Sequence, residues 1–176
     1  MRTLLLSLML LSLVSHSAFA ANSLAVLTPK AVLESSHQAE FYVCEEAPKV
    51  WCHDDWRYYR VSFFAQIQPE LKPTQLQLLA PFSSHDYSQV QLNLRRDGFQ
   101  LLRVVQGDNV FDVEQQIADA ENDAQLAEVD KALVLFLNRT LRADNVEQVW
   151  RNETWQARLL KQNDMIELHL SDQENK

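Results

Sequence analysis

The sequence predicts an α+β fold that is built mainly on an antiparallel β-sheet, with one or two helices between about residues 112 and 142. Two observations support this prediction. Alternation of apolar and polar residues, which is typical of half-buried strands, recurs in both the first and the last part of the chain. Between these parts the apolar residues change to helical spacing. Strands, then helices, then a closing hairpin favour an antiparallel sheet over alternating βαβ units.

The first twenty residues have the pattern of a cleaved secretory signal. Arg2 provides a basic start, the run 4–14 is apolar, and residues 18–20 form an Ala-x-Ala exit. The apolar run is too short to span a bilayer comfortably, and no stop-transfer pattern follows it. We therefore expect cleavage after about Ala20, and a single periplasmic or secreted domain over residues 21–176 that ends in a polar tail.

Composition and charge exclude two kinds of partner. The chain has 16 basic and 24 acidic residues, which gives a formal net charge of −8. An acidic chain is a poor nucleic-acid binder, because contacts with phosphates need clustered lysine and arginine. The sequence has no basic amphipathic stretch for an anionic membrane surface. No segment after the signal is apolar enough to cross a membrane. We expect neither a nucleic-acid partner nor a membrane span.

Two cysteines, Cys44 and Cys52, are separated by seven residues. An even pair at short spacing in an exported protein predicts one disulfide, because the compartment is oxidising. The alternative is a metal site in which both thiolates and His53 bind zinc or Cu(I). That alternative requires both thiols to stay reduced. The prediction is therefore a disulfide, with no metal and no cofactor.

Four strands are predicted before residue 82. A short edge strand is expected at 24–27 and a second strand at 40–44. The clearest alternation in the chain covers 56–67 and predicts the third. Leu76 and Leu78 suggest another strand, which Pro81 ends.

Aromatic residues give the predicted strand at 56–67 two unusual faces. One face carries Tyr59, Val61, Phe63, Ala65 and Ile67, and the other carries Trp56, Tyr58, Arg60, Ser62 and Gln66. Tryptophan and tyrosine on a surface are good anchors for a partner. We predict a partner-binding patch made of Trp51, Trp56, Tyr58 and Arg60. The alternative is that a helix covers this face.

A hairpin is predicted around Asp97-Gly98, a pair that is typical of tight turns. Val90, Leu92 and Leu94 alternate before the turn, and the stretch 99–105 is the expected returning strand. The prediction therefore places strands on both sides of the turn.

Two helices are predicted after this hairpin. Asp112 has the character of an N-cap with Gln115 three residues later, and Asn122 is a second candidate cap. Apolar residues then follow at spacings of three, four and four, at Leu126, Val129, Leu133 and Leu137. This spacing favours a second helix to about Arg142. The alternative is a buried strand, because the run 132–137 is continuously apolar.

The end of the chain predicts a second hairpin. Alternating apolar residues precede and follow a turn at 162–164, namely Trp155, Ala157, Leu159, Ile166, Leu168 and Leu170. A polar tail follows from Ser171.

The sequence has no recognisable catalytic motif. Gly98 and Gly107 are its only glycines, so a glycine-rich phosphate loop cannot be built. A Gly-x-Ser-x-Gly elbow and a His-Glu-x-x-His helix are also absent. We therefore predict a non-enzymatic binding or accessory protein of the cell envelope. It would meet a protein partner through the aromatic patch or through an exposed strand edge.

One alternative function is a carrier of a small apolar ligand. The ligand would occupy a cavity between the sheet and the helices. Leu133, Phe136 and Leu137 would line this cavity beside Phe63 and Ile67.

The second alternative function is a small secreted hydrolase. His53 would act as an acid or base together with Asp54 or Asp55. Neighbouring residues of a strand point to opposite faces, so only one of the two aspartates can share a side with His53.

Overall fold

The computed structural model describes residues 41–173, except Glu46, residues 69–73 and Leu141. The predicted signal at residues 1–20 and the predicted strand at 24–27 lie outside the described residues. The strands are β1 (Tyr42–Cys44), β2 (Ala47–Tyr58), β3 (Val61–Gln68), β4 (Gln75–Pro81), β5 (Gln100–Gln106), β6 (Asn109–Asp112), β7 (Val146–Arg151), β8 (Trp155–Gln162) and β9 (Met165–Asp172). The helices are α1 (Ser84–Arg96), α2 (Val113–Ala118) and α3 (Asp123–Thr140).

All nine strands belong to one sheet, in the order β1-β2-β3-β4-β9-β8-β7-β5-β6. Every neighbouring pair is antiparallel, so the predicted mainly antiparallel sheet is confirmed. α1 connects β4 to β5, which are separated in the sheet by β9, β8 and β7. β4 and β5 therefore run in the same direction, and α1 is the crossover between them.

The core lies on one face of this sheet. Register places Ala65 beside Leu78, Leu78 beside Leu168, and Leu168 beside Leu159, which makes a buried apolar row across four strands. α1 adds its own buried side chains to the same cluster, namely Tyr87, Val90 and Leu94. Burial of such side chains contributes roughly 1.5–3 kcal/mol for each large apolar residue.

The predicted strand over Val90–Leu94 is wrong, because this segment belongs to α1. Ser83 caps the helix, and its hydroxyl accepts a hydrogen bond of 3.0 Å from the Asp86 backbone N–H. Val90 and Leu94 are four residues apart and share the buried face, whereas Leu92 is 55% exposed. Asp97-Gly98 consequently ends a helix and does not turn a hairpin. The returning strand is confirmed as β5.

The predicted single strand over 56–67 is also wrong. β2 ends at Tyr58 and β3 begins at Val61, with Tyr59 in the turn at a φ of 54°. Tyr58 pairs with Val61 and Trp56 with Phe63, so these four residues share one face of the sheet. The buried positions change from even to odd numbers across the turn, but Tyr59 and Arg60 alternate in phase with Val61, so the sequence pattern conceals the reversal of the chain.

The helices predicted after residue 112 are confirmed. The Asp112 side chain accepts a hydrogen bond of 2.9 Å from the Gln115 N–H at the start of α2. Asn122 accepts one of 3.1 Å from the Gln125 N–H before α3. α3 continues to Thr140, so the alternative of a buried strand over 132–137 is wrong.

The C-terminal hairpin is confirmed as β8 and β9. Asn163 and Asp164 form its two-residue turn, with φ values of 50° and 58°. Asparagine and aspartate tolerate this left-handed conformation better than other non-glycine residues, and tight hairpins need it.

Candidate functional site

The predicted partner-binding patch is divided between core and surface. Trp56 is 7% exposed and Tyr58 is 0% exposed, and both belong to the core cluster. Trp51 is half-buried and packs against that cluster, whereas Arg60 is exposed. Trp56 and Tyr58 therefore pack the core and offer no surface to a partner. Partner binding by Trp51 and Arg60 stays a prediction.

A hydrogen-bonded cluster explains why Tyr58 is buried. Its hydroxyl donates a bond of 3.0 Å to the carboxylate of Asp97, which is itself buried just after α1. The Tyr59 hydroxyl donates to the other oxygen of the same carboxylate. Burial and the Asp97 charge raise the pKa of the Tyr58 phenol. The cluster joins the β2–β3 turn to the end of α1.

Cys44 and Cys52 form the predicted disulfide, with Cα atoms 5.5 Å apart. The metal alternative for Cys44, Cys52 and His53 is wrong, because bonded sulfurs cannot act as thiolate ligands. Within the described part of the chain, no group of three or more histidine, cysteine, aspartate or glutamate side chains is placed to hold a metal ion.

The residues of the predicted acid–base pair have structural contacts. The Asp55 N–H donates a bond of 3.1 Å to Nδ1 of His53, and the Phe41 ring lies edge-on to the imidazole at 5.1 Å. Asp54 accepts a bond of 2.6 Å from the Tyr42 hydroxyl. Hydrogen bonding from Ser62 lowers the pKa of Asp55, with a smaller contribution from the charge of Arg57. Catalysis by His53 stays a prediction.

α3 is the least buried long element in the described structure. Thr140 is the only buried residue among those described along its 18-residue length. Val129, Leu133, Phe136 and Leu137 are half-buried and follow one side of the helix. The remaining described positions are exposed, so most of the surface of α3 faces solvent.

A shallow groove runs between α2 and α3, and we call it the acidic groove. It is lined by Gln116, Asp119, Ala120, Ala124, Gln125, Glu128, Val129 and Ala132. Residues 112–130, which form both walls, contain seven acidic residues and no basic one. Two exposed ion pairs offset part of this charge, Glu114 with Arg151 at 2.7 Å and Glu128 with Lys131 at 3.4 Å.

Exposed apolar residues border the acidic groove. Leu135 is 51% exposed and extends the stripe formed by Ala124, Glu128 and Ala132 at helical spacing. Ile117 of α2 is also half exposed. Single exposed apolar residues are common, but several beside one groove are typical of an interaction surface.

A separate cavity of about 200 Å³ lies between α1, α3 and the sheet, and we call it the α1–α3 cavity. It is lined by Phe82, Ser84, Tyr87, Gln91, Leu137, Asn138, Thr140, Gln148 and Lys161. Of the residues predicted to line a ligand cavity, only Leu137 is among them. Phe63 and Ile67 lie in the core, and Phe136 packs on Phe111 with ring centroids 5.6 Å apart.

The face of the sheet opposite the core is polar. Gln66, Gln77, His169 and Arg158 stand side by side on neighbouring strands and line a depression of about 180 Å³. Arg158 donates a bond of 2.8 Å to Glu147, and His169 lies 3.0 Å from Glu167. We call this row the polar sheet face.

Comparisons with known proteins give no match, whether against protein-family models, curated proteins or solved structures. None of the described helices is long and apolar enough to cross a membrane. The geometry of this chain therefore carries the functional argument.

Proposed function

We propose that this protein is an exported, non-enzymatic binding protein of the cell envelope, and that the acidic groove receives a basic amphipathic segment of a protein partner. One observation carries the proposal. The segment 112–130, which contains α2 and the first part of α3, has seven acidic residues and no basic one, and exposed apolar side chains lie along the groove between the two helices.

Each part of this surface fits a basic amphipathic partner. Leu135 and the alanines of the groove offer apolar contact, and burial of one large apolar side chain contributes roughly 1.5–3 kcal/mol. The acidic residues attract lysine and arginine, which accelerates encounter and disfavours acidic partners. A partner helix lying in the groove would repeat a common mode of peptide recognition.

The proposed location agrees with the covalent structure. The Cys44–Cys52 disulfide suits an oxidising compartment such as the periplasm or the extracellular space. The secretory pattern in the first twenty residues supports the same location.

The first prediction concerns a defined peptide. A labelled peptide of leucine and lysine at helical spacing should bind the protein, with an affinity that falls as salt rises, because the attraction is screened. The matched peptide of leucine and glutamate should not bind. Fluorescence anisotropy measures both. Equal binding of the two peptides would contradict the proposal.

Matched variants separate groove binding from general attraction to an acidic protein. Leu135→Ser should weaken binding about ten-fold, whereas Leu92→Ser on α1 should not, although Leu92 is equally exposed and helical. Glu128→Lys should weaken binding more than Glu45→Lys, which makes the same charge change at the opposite edge of the sheet. Equal effects within either pair would place the binding elsewhere.

A further inference from the structure

We propose that the acidic groove receives α3 of a second copy of this chain, so that the protein forms a weak antiparallel dimer. The inference rests on the proposed function, because it names the basic amphipathic segment that occupies the groove. α3 supplies both surfaces. Its N-terminal part forms one wall of the groove, and its C-terminal part is the segment that enters the groove of the second copy.

Charge divides this part of the chain into two opposite halves. Residues 112–130 contain seven acidic residues and no basic one, whereas residues 131–142 contain three basic residues and no acidic one. An antiparallel pair of α3 helices therefore brings an acidic half beside a basic half at both ends, which favours this orientation over the parallel one. The antiparallel arrangement also sets the positive end of one helix dipole beside the negative end of the other.

One exposed stripe of α3 is complementary to itself. The stripe consists of Glu128, Ala132, Leu135 and Arg139, which follow one side of the helix at spacings of four, three and four. All four residues are exposed. A two-fold axis between positions 133 and 134 places Glu128 opposite the partner's Arg139, and Ala132 opposite the partner's Leu135. The two-fold axis then repeats both contacts, so every residue of the stripe meets a suitable neighbour.

The stripe joins a small apolar residue to a large one. Leu135 is 51% exposed, and an alanine at the facing position leaves room for its side chain. Burial of two leucines in each dimer favours association. The ion pair of 3.4 Å between Glu128 and Lys131 is exposed, so Glu128 can exchange it for the partner's Arg139 at little cost.

The small size of the contact makes the dimer weak. The stripe is about 16 Å long, since a helix rises about 1.5 Å per residue. An interface of this length is smaller than that of a stable dimer, so we expect a dissociation constant of roughly 100 μM. The groove is then free for other basic partners in dilute protein and occupied by a second copy in concentrated protein.

Sedimentation velocity of the exported chain tests the dimer directly. The average mass should rise from that of a monomer toward that of a dimer between about 10 μM and about 1 mM. Leu135→Ser should weaken the association about ten-fold, whereas Leu92→Ser, an equally exposed position on α1, should not. A monomeric mass at every concentration, or equal effects of the two substitutions, would overturn the inference.

An exchange of charges tests the antiparallel register. Glu128→Arg alone and Arg139→Glu alone should both stay monomeric, because like charges then face each other at both ends of the stripe. An equimolar mixture of the two variants should form a heterodimer, since opposite charges face each other again. Asp130→Arg is the matched control, because it makes the same charge change on α3 outside the stripe, and it should still dimerise. A mixture that stays monomeric would contradict this register.

The leucine–lysine peptide distinguishes this inference from the proposed function. Excess peptide should dissociate the dimer, because both occupy the acidic groove. A dimer that persists in saturating peptide would place self-association elsewhere and overturn the inference. A monomeric protein that binds the peptide would overturn the dimer alone. A stripe-dependent dimer that does not bind the peptide would overturn the general preference for basic peptides and leave the dimer standing.

Discussion

Two buried tyrosines differ in the hydrogen bonding of their hydroxyl groups. Tyr58 and Tyr87 are both buried on the core side of the sheet. The Tyr58 hydroxyl donates to the buried Asp97 carboxylate, whereas the Tyr87 hydroxyl has the neutral Gln91 side chain as its hydrogen-bonding neighbour. A hydrogen bond to a charged group contributes more than one between neutral groups. We therefore expect the same substitution to cost more at Tyr58 than at Tyr87.

Tyr58→Phe should lower the free energy of unfolding by about 1–3 kcal/mol, because a buried carboxylate loses one of its donors. Tyr87→Phe is the matched control and should lower the free energy of unfolding by less, because its neighbour Gln91 is neutral. Urea denaturation followed by circular dichroism measures both variants. A larger loss in Tyr87→Phe than in Tyr58→Phe would show that the assigned hydrogen bonds are wrong.

At the scale of elements, the strands with regular alternation could be predicted from the sequence. β4, β8 and β9 can be predicted because buried positions alternate with more exposed ones, and β5 can be predicted as the stretch that follows Asp97-Gly98. The disulfide and the helix caps at Asp112 and Asn122 were also anticipated, because short local spacings determine them. Local chemistry therefore predicted local structure well.

Four elements escaped prediction for physical reasons. β2 covers Ala47–Tyr58, and its register shifts between His53 and Trp56, so no continuous alternation marks it in the sequence. An alternating pattern is present at Val90, Leu92 and Leu94, but Val90 and Leu94 also have helical spacing. The N-cap at Ser83 favours the helix. β7 buries Gln148, Val149 and Trp150 in succession, so it has no alternation to detect. β6 has only four residues, too few for a periodic pattern.

The candidate sites were harder to predict than the fold. The acidic groove depends on how α2 packs beside α3, and the α1–α3 cavity combines residues from four distant segments. The sequence did show the clustered acids of residues 112–130, and this signal could have indicated the groove.

The disulfide links β1 to β2 at one edge of the sheet. The prediction at this scale concerns its removal. The double variant Cys44→Ser, Cys52→Ser should lose about 2–3 kcal/mol of unfolding free energy, because the unfolded chain gains the entropy of an open loop. Urea denaturation of the wild type with and without reductant is the matched measurement. A midpoint that does not change in either experiment would contradict this stabilising role.

At the scale of the whole molecule, ion pairs on the polar sheet face couple stability to pH. A hydrogen bond from Arg158 lowers the pKa of Glu147 below its ordinary value of 4.5. A lowered pKa in the folded state means that the unfolded state binds the proton first. The stabilisation is therefore complete above about pH 4.5 and is lost as the pH falls through the lowered pKa.

In Glu147→Gln the free energy of unfolding should fall less than in the wild type as the pH drops. The difference should be no more than about 1 kcal/mol, since the pair is only partly shielded from solvent. Glu128→Gln is the control, because the partner of Glu128, Lys131, is exposed. This variant should leave the loss of stability at acid pH unchanged. Thermal melts across the acid range compare the two. A steeper acid limb in Glu147→Gln would show that the sign of the pKa shift is wrong.

The acidic groove lies apart from the core, because none of its lining residues belongs to the core cluster. One face of the nine-stranded sheet is packed by α1, and α3 remains largely exposed beside it. α3 contributes to the acidic groove through its N-terminal half and to the α1–α3 cavity through its C-terminal end. The apolar residues on one side of α3 are half-buried, whereas Leu135 is exposed and belongs to the surface that we propose for partner binding.

Amide NMR spectra of the protein titrated with the leucine–lysine peptide test the central claim most directly. If the acidic groove is the binding surface, the largest shift changes will lie in α2 and α3, between Ile117 and Leu135. Shift changes concentrated on the polar sheet face around Gln66 and Gln77, or spread evenly over all acidic residues, would contradict the proposal.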